Sequence, residues 1–361
     1  MIERMRTRVI ELAAGQDRRG AENLRTMAMV DPSPLPAVPG RSAIQRLTAL
    51  WPQVHRAIAG GVGPGVAVVA VDTARDRVAG SMWIAAKPGS INAGLVGRHG
   101  QCDLFLDGDS SLSLRHLVVI VDPAKDWGGP GGADVRYRLL DLRTSTAFRD
   151  EDGRRLEAIT ALGPAFVFVG RYVLYCFPTG VDDWPVDVDE AMAAMPERIY
   201  IEDRDAEPDQ WQRRRPAPRL AEGSRVHDPM VSSMRTQITA VPGPSRARLD
   251  HETDSPAMGR LEIRSRLGAD AVPVAELSAQ RGILLGRYSR CDTAGAASLA
   301  LERISRVHVI VVAIDGALWM IDAASTNGMT TDGHSVRVQP MRQHAEVELG
   351  GVGTVRWVAN N

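Results

Sequence analysis

Leu284-Leu285-Gly286-Arg287-Tyr288-Ser289-Arg290-Cys291-Asp292 decides the fold, because the chain carries the same pattern earlier as Leu95-Val96-Gly97-Arg98-His99-Gly100-Gln101-Cys102-Asp103. Downstream, Ser305-Arg306-Val307-His308 answers Ser113-Leu114-Arg115-His116, and each runs into an aliphatic stretch. Further on, Ser325-Thr326-Asn327-Gly328 matches Ser145-Thr146-Ala147-Phe148, each followed by an Asp-Gly turn. Three blocks in one order mean a duplicated domain, and such a repeat sets the architecture of the chain.

The segments between the blocks read as strands. In the second copy 261–267, 272–277, 282–286, 308–314, 317–322 and 346–349 are short runs rich in Val, Ile and Leu, bounded by Gly, Asp and Asn turns. In the first copy 66–72, 80–86, 117–121, 137–141 and 166–177 play the same parts, and 122–132 is an inserted surface loop. Many short strands at this spacing predict a mainly β protein with two β-sandwiches.

The flanking segments differ in composition. Residues 1–62 read as a helical N-terminal segment, with Ile2, Met5, Val9 and Leu12 on one helical face and Ile44, Leu47, Leu50 and Val54 on another. The Pro-rich stretch from Pro32 to Pro39 parts the two helices. Residues 179–257 read as a long, mobile linker: acidic at Asp182–Glu190, basic at Arg213–Arg215 and broken by prolines from Pro208 to Pro256, with one short helix near 189–195. The expected division is therefore 1–62 helical, 63–178 first sandwich, 179–257 linker and 258–361 second sandwich.

The second copy resembles the forkhead-associated (FHA) domain family, whose pattern is Gly-Arg, then Ser-x-x-His, then Asp-x-x-Ser-Thr-Asn-Gly. All three are here, as Gly286-Arg287, Ser305-Arg306-Val307-His308 and Asp322-Ala323-Ala324-Ser325-Thr326-Asn327-Gly328. The resemblance implies a β-sandwich that binds phosphothreonine peptides through the loops at one end. It implies phosphate contacts from Arg287, Ser305 and Arg306, Thr326 in the third loop, and a grip by Asn327 on the peptide backbone. His308 falls on a position that braces loops, and Gly286 and Gly328 are expected to supply unusual backbone angles. The residue types suit the ligand, since a phosphothreonine carries nearly two negative charges and three acceptor oxygens. A guanidinium fork with hydroxyl and amide donors answers both.

The first copy departs from the pattern. On the sequence match Ala147 stands for Asn327, Phe148 for Gly328 and Leu114 for Arg306, with Arg115 alongside as a partial substitute. Arg98, Ser113 and Thr146 remain as a residual site. Between Arg98 and His116 two arginines face three aspartates, whereas between Arg287 and His308 four arginines face two acids. A dianion is drawn to the second copy and repelled by the first.

Composition narrows the function further. With 43 basic and 44 acidic residues, the chain lacks the basic excess of a nucleic-acid binder. No apolar run is long enough to insert in a membrane, and no secretory leader is evident. Three cysteines are too few for a disulfide scaffold, which points to a cytoplasmic setting, and Cys102, Cys176 and Cys291 read as core residues. Nearly all the basic residues are arginines, so anion recognition rests on guanidinium groups. No phosphate-binding loop, metal motif or nucleophile elbow occurs, so no cofactor, metal or catalytic residue is expected.

The expected function is a non-catalytic, phosphothreonine-dependent adaptor whose partner is a serine/threonine kinase or its substrate. The alternative is a scaffold in which both sandwiches assemble proteins without reading phosphate. Thr236 and Thr239, beside Arg235 in the linker, are expected to be exposed and open to phosphorylation and capture by the second copy.

Overall fold

The computed structural model describes residues 7–10, 41–124, 135–180, 183–202, 236–241 and 257–360, which form two β-sandwiches with helices against the first. In the N-terminal sandwich one sheet runs, edge to edge, Thr7–Ile10, Arg77–Ala85, Gly65–Asp72, Tyr172–Thr179, Ala165–Val169, Phe148–Arg149 and Arg155–Leu156. The facing sheet runs Arg198–Glu202, Thr236–Ala240, Ala158–Leu162, Arg136–Asp141, Leu117–Val121, Asn92–Gly97 and Leu104–Phe105. The C-terminal sandwich has an outer sheet of Gly268–Ala275, Ala257–Ser265, Gly353–Ala359, Glu346–Leu349, Met329–Thr331 and His334–Val336. Its inner sheet is Ile283–Leu285, Val309–Ile314, Ala317–Asp322 and Val338–Pro340.

Burial along the strands shows what lies on each side of a sheet. Gly65–Asp72 reads GVAVVAVD and is buried at every position, as are Leu117–Val121 and Val309–Ile314. Unbroken apolar runs of this kind belong to sheets covered on both faces. Ala257–Ser265 alternates instead, with Leu261 and Ile263 buried and Arg260 and Arg264 exposed, because its outer face meets solvent.

Helix α1, Ala43–Ile58, covers the outer face of the first sheet. Ser42 and Gln45 form a reciprocal capping box at its start, and Leu47, Leu50, Trp51 and Val54 lie on its buried stripe. Trp51 and Phe177 pack edge to face with ring centres 5.9 Å apart, and the Tyr175 hydroxyl donates to the Ala43 carbonyl at 2.8 Å.

The other face of the N-terminal sandwich is covered by the C-terminal one. Ile91, Leu95, Val118, Ile120 and Leu140 form one apolar cluster with Leu284, Ile310, Val312, Trp319 and Ile321. Each fully buried aliphatic side chain in this seam contributes about 1.5–3 kcal/mol. Ion pairs frame it: Arg143 with Asp292 at 3.3 Å, Arg337 with Asp103, Arg281 with Glu157, and Arg136 with Asp315 at 2.5 Å. Arg136 and Asp315 join the ends remote from the repeated loops, while Arg143 and Asp292 join the loop ends. Both sandwiches therefore point their loops the same way.

Several expectations need correction. Thr7–Ile10 is a strand paired in parallel with the edge strand Arg77–Ala85, not part of a helix. Its β-branched residues suit a strand, and an open edge offers unpaired backbone groups. The run 166–177 is two strands, turned at Gly170 with φ +57°. The stretch read as a mobile linker holds regular elements among the described residues. Helix α2, Val188–Ala194, is capped by Asp187 and packs with Trp184 against α1, and the Trp51 indole donates to the Pro185 carbonyl at 3.0 Å. Thr236–Ala240 extends the facing sheet of the first sandwich, and Thr239 is buried there, so the exposure expected for it fails. An isolated Pro-rich composition hides such pairing because backbone hydrogen bonds are indifferent to side-chain identity. Arg213–Arg215 lie outside the described residues.

Candidate phosphate-binding site

Three loops of the C-terminal sandwich meet at one end, and each is set by bonds that its own sequence supplies. Arg287 follows the strand Ile283–Leu285, and Gly286 stands before it for steric reasons. A Cβ there would lie 2.3 Å from the Arg306 carbonyl oxygen, while the backbone is not left-handed, which corrects the angle expected for Gly286. The Arg287 side chain is exposed, and its Nε donates to the Ile304 carbonyl at 2.8 Å. That bond aims the rest of the guanidinium outward with its remaining donors.

The second loop holds Ser305 and Arg306, and the third holds Thr326 and Asn327. The Ser305 hydroxyl accepts the Thr326 amide at 3.0 Å, which leaves its own proton to donate. Arg306 is half-buried, and Thr326 and Asn327 are exposed. The Asn327 side chain donates to the Arg303 carbonyl at 2.8 Å. Within the third loop, Asp322 accepts from the Ser325 hydroxyl at 2.5 Å, and the Gly328 amide donates to Ser325 Oγ at 3.0 Å. Burial pushes the Asp322 carboxyl up to about 6 against these hydrogen bonds.

His308 ties the second loop to the third. Its Nδ1 accepts the Ser305 amide at 2.9 Å, so Nε2 carries the proton and donates to the Gly328 carbonyl at 2.9 Å. Burial pushes the ring down to about 4, and it stays neutral at physiological pH. Gly328 has φ +71°, a left-handed conformation that suits glycine. A recess of about 280 Å³ opens beside Arg287, walled by Tyr288, Ser289, Thr293, Gly295 and Ala296.

The first copy repeats this frame at its core. Asp103 accepts the Leu95 amide at 2.8 Å as Asp292 accepts that of Leu284 at 2.7 Å. Arg98 Nε donates to the Leu112 carbonyl as Arg287 does to Ile304. The third loop shifts the sequence match by one residue. Asp141 holds Thr144 through both its amide and its hydroxyl, as Asp322 holds Ser325, and Arg143 and Ala324 share a left-handed φ of 55° and 53°. Ser145 therefore occupies the place of Thr326, Thr146 that of Asn327, and Ala147 that of Gly328. The expected equivalence of Ala147 with Asn327 and of Phe148 with Gly328 is corrected, and Phe148 is a core residue like Met329.

The brace is also altered. Ala147 is not left-handed, His116 meets the Thr146 backbone rather than the residue in the place of Gly328, and Thr146 Oγ1 is buried without a hydrogen-bond partner among the described residues. Nor does Arg115 compensate within its own copy, because it turns toward the other sandwich and donates to the Ala324 carbonyl. No sequence signal pointed to that contact.

All three cysteines are free and buried, with thiols pushed up to about 12 by burial. Among the described residues no cluster of acids, histidines and cysteines could hold a metal ion, and no helix is long and apolar enough to cross a membrane.

Residues 283–350 match the family model of the FHA domain, and they carry the three loops just described. The C-terminal sandwich is an FHA domain. Similar solved structures include the Rv1747 FHA-1 domain of Mycobacterium tuberculosis, at 22% identity over 28% of this chain and 99% of that one, with a TM-score of 0.23. The Slr1951 protein of Synechocystis matches at 22% identity over 29% and 99%, with a TM-score of 0.25. The FHA domain of CT664 from Chlamydia trachomatis matches at 17% identity over 28% and 99%, with a TM-score of 0.24. No curated protein matches the chain. FHA domains are non-enzymatic modules that recognise phosphothreonine peptides.

Proposed function

We propose that the chain is a phosphothreonine-dependent adaptor, cytoplasmic and without catalytic activity of its own, which docks a phosphorylated partner in serine/threonine-kinase signalling. Arg287, Ser305, Arg306 and Thr326 contact the phosphate, and Asn327 holds the peptide backbone. The observation that carries this reading is the Ser305–Thr326 bond, which joins two loops beside an exposed guanidinium and leaves the Ser305 proton to donate. A dianion is better answered there than in the first copy, whose third loop has no left-handed residue in the place of Gly328. The recess beside Arg287 accepts a side chain flanking the phosphothreonine.

A degenerate phosphothreonine peptide library offered to the full chain tests the proposal. Retention that disappears on phosphatase treatment supports the adaptor. Equal retention of dephosphorylated peptides supports instead the scaffold that assembles proteins without reading phosphate.

A further inference from the structure

The interface between the sandwiches is not symmetric in what it gives each side. Arg115 of the first sandwich reaches across and donates two hydrogen bonds, from Nε at 3.1 Å and from Nη2, to the carbonyl of Ala324. Ala324 is the left-handed residue of the third site loop, one position before Ser325 and two before Thr326. At the position equivalent to Arg115, the C-terminal sandwich has Val307, which packs into the apolar seam and has no donor to return. The brace therefore runs only toward the copy that keeps the phosphate-binding residues.

We propose that Arg115 is a positioning residue for the phosphate site of the C-terminal FHA domain, so that the first sandwich is a built-in part of that site. The inference rests on the phosphothreonine reading given above. The physical reason lies in the loop itself. A non-glycine residue in the left-handed region is held only where its surroundings over-determine it. Inside the loop, Asp322 holds Ser325 through its amide and hydroxyl, but the Ala324 carbonyl faces the other sandwich. A half-buried guanidinium fixes that carbonyl with two donors, and the Thr326 amide is thereby delivered to Ser305. The charge of Arg115 reaches further into the site. It adds to burial in lowering the proton affinity of His99 and His308 and opposes burial at Asp322, where it favours the ionised form. An arginine of the first copy and one of the second thus converge next to the loop that receives a dianion.

The test uses the full chain and a phosphothreonine peptide selected from the library, titrated by calorimetry. Arg115→Ala is expected to weaken binding about tenfold, the effect of a lost charge-assisted brace. Asp315→Asn breaks the ion pair at the far end of the same seam and is expected to change affinity by less than about twofold. Arg115→Lys keeps the charge but not the paired donors and is expected to fall between the two. It carries the test should the alanine variant melt below the assay temperature. In a Ser305→Ala background, which removes the oxygen that accepts the Thr326 amide, the effect of Arg115→Ala should largely vanish, which general loosening of the seam would not produce.

Equal losses from Arg115→Ala and Asp315→Asn would overturn the positioning role, and so would wild-type affinity in Arg115→Lys and Arg115→Ala while Arg287→Ala still abolishes binding. Phosphate-independent binding in the wild type would instead remove the phosphothreonine reading itself, and the inference with it.

Discussion

The hydroxyl of Ser305 accepts the backbone amide of Thr326 at 3.0 Å, so one side chain joins the second site loop to the third. That oxygen serves as an acceptor, and on the proposed function its proton donates to a phosphate oxygen. Ser305→Ala removes both functions. Phosphopeptide affinity should fall by about 1–3 kcal/mol, with a smaller loss of folding stability. Calorimetry and thermal melting on the same sample separate the two effects.

Arg287→Ala should cost about 2–5 kcal/mol of phosphopeptide affinity, since it strips a charge-assisted donor from a dianion. The fold should survive, because the side chain is exposed. Arg98→Ala, in the first copy, should leave binding nearly unchanged. A loss from Arg98→Ala comparable to that from Arg287→Ala would mean that the first copy reads phosphate too.

Gly328→Ala gives the C-terminal loop the residue that the first copy has at Ala147. Alanine at φ +71° is strained by roughly 1–2 kcal/mol, and the loop is expected to relax away from the His308 brace. Lower thermal stability should accompany weaker phosphopeptide binding. The chemical shifts of His308, followed by NMR, should move toward those of His116, which meets the Thr146 backbone instead.

The two copies bury matched pairs of titrating groups with opposing effects. His308 and His116 are pushed down to about 4 by burial, so the unfolded chain takes up protons first, and stability is lost as pH falls from about 6.5 toward 4. Asp322 and Asp141 are raised to about 6, also by burial, and they restore stability as pH falls from about 6 toward the ordinary carboxylate range. Asp322→Asn removes one compensating group. The denaturant midpoint of that variant should drop more between pH 7 and pH 4.5 than the wild-type midpoint does, and parallel declines would refute the assignment.

Thr239 sits in the strand Thr236–Ala240, paired with Ala158–Leu162, and is buried. Its modification by a kinase therefore requires that strand to detach. Phosphorylation at Thr239, read by mass spectrometry, should be slow in the native chain and rise when Ile238→Asp disrupts the strand, because Ile238 is a fully buried core residue. Rapid native modification would show that the strand leaves the sheet readily.

Much of this was legible in the sequence. The duplicated Gly-Arg, Ser-x-x-His and Asp-Gly blocks disclosed two sandwiches, because a motif that fixes a loop must recur wherever that loop recurs. The amphipathic stripe of Leu47, Leu50 and Val54 disclosed α1, because a 3.6-residue period records which side faces the core. The unbroken apolar runs at Gly65–Asp72 and Leu117–Val121 recorded that both faces of those sheets are covered, though not by what.

Only the tertiary structure decided the rest. The one-residue shift that places Thr146 opposite Asn327 depends on which residue Asp141 holds, and Thr144 and Ser145 are too alike in sequence to choose between. The strands Thr7–Ile10 and Thr236–Ala240 form where a distant edge offers backbone partners, and backbone hydrogen bonds leave no mark on side-chain identity. Arg115 looked like a residue of its own copy, yet its guanidinium serves the other one, 209 residues further along the chain. Local pattern specifies which loops and strands a chain can build. Contacts between distant segments are specified by the shape and chemistry of surfaces that exist only once those loops and strands have formed.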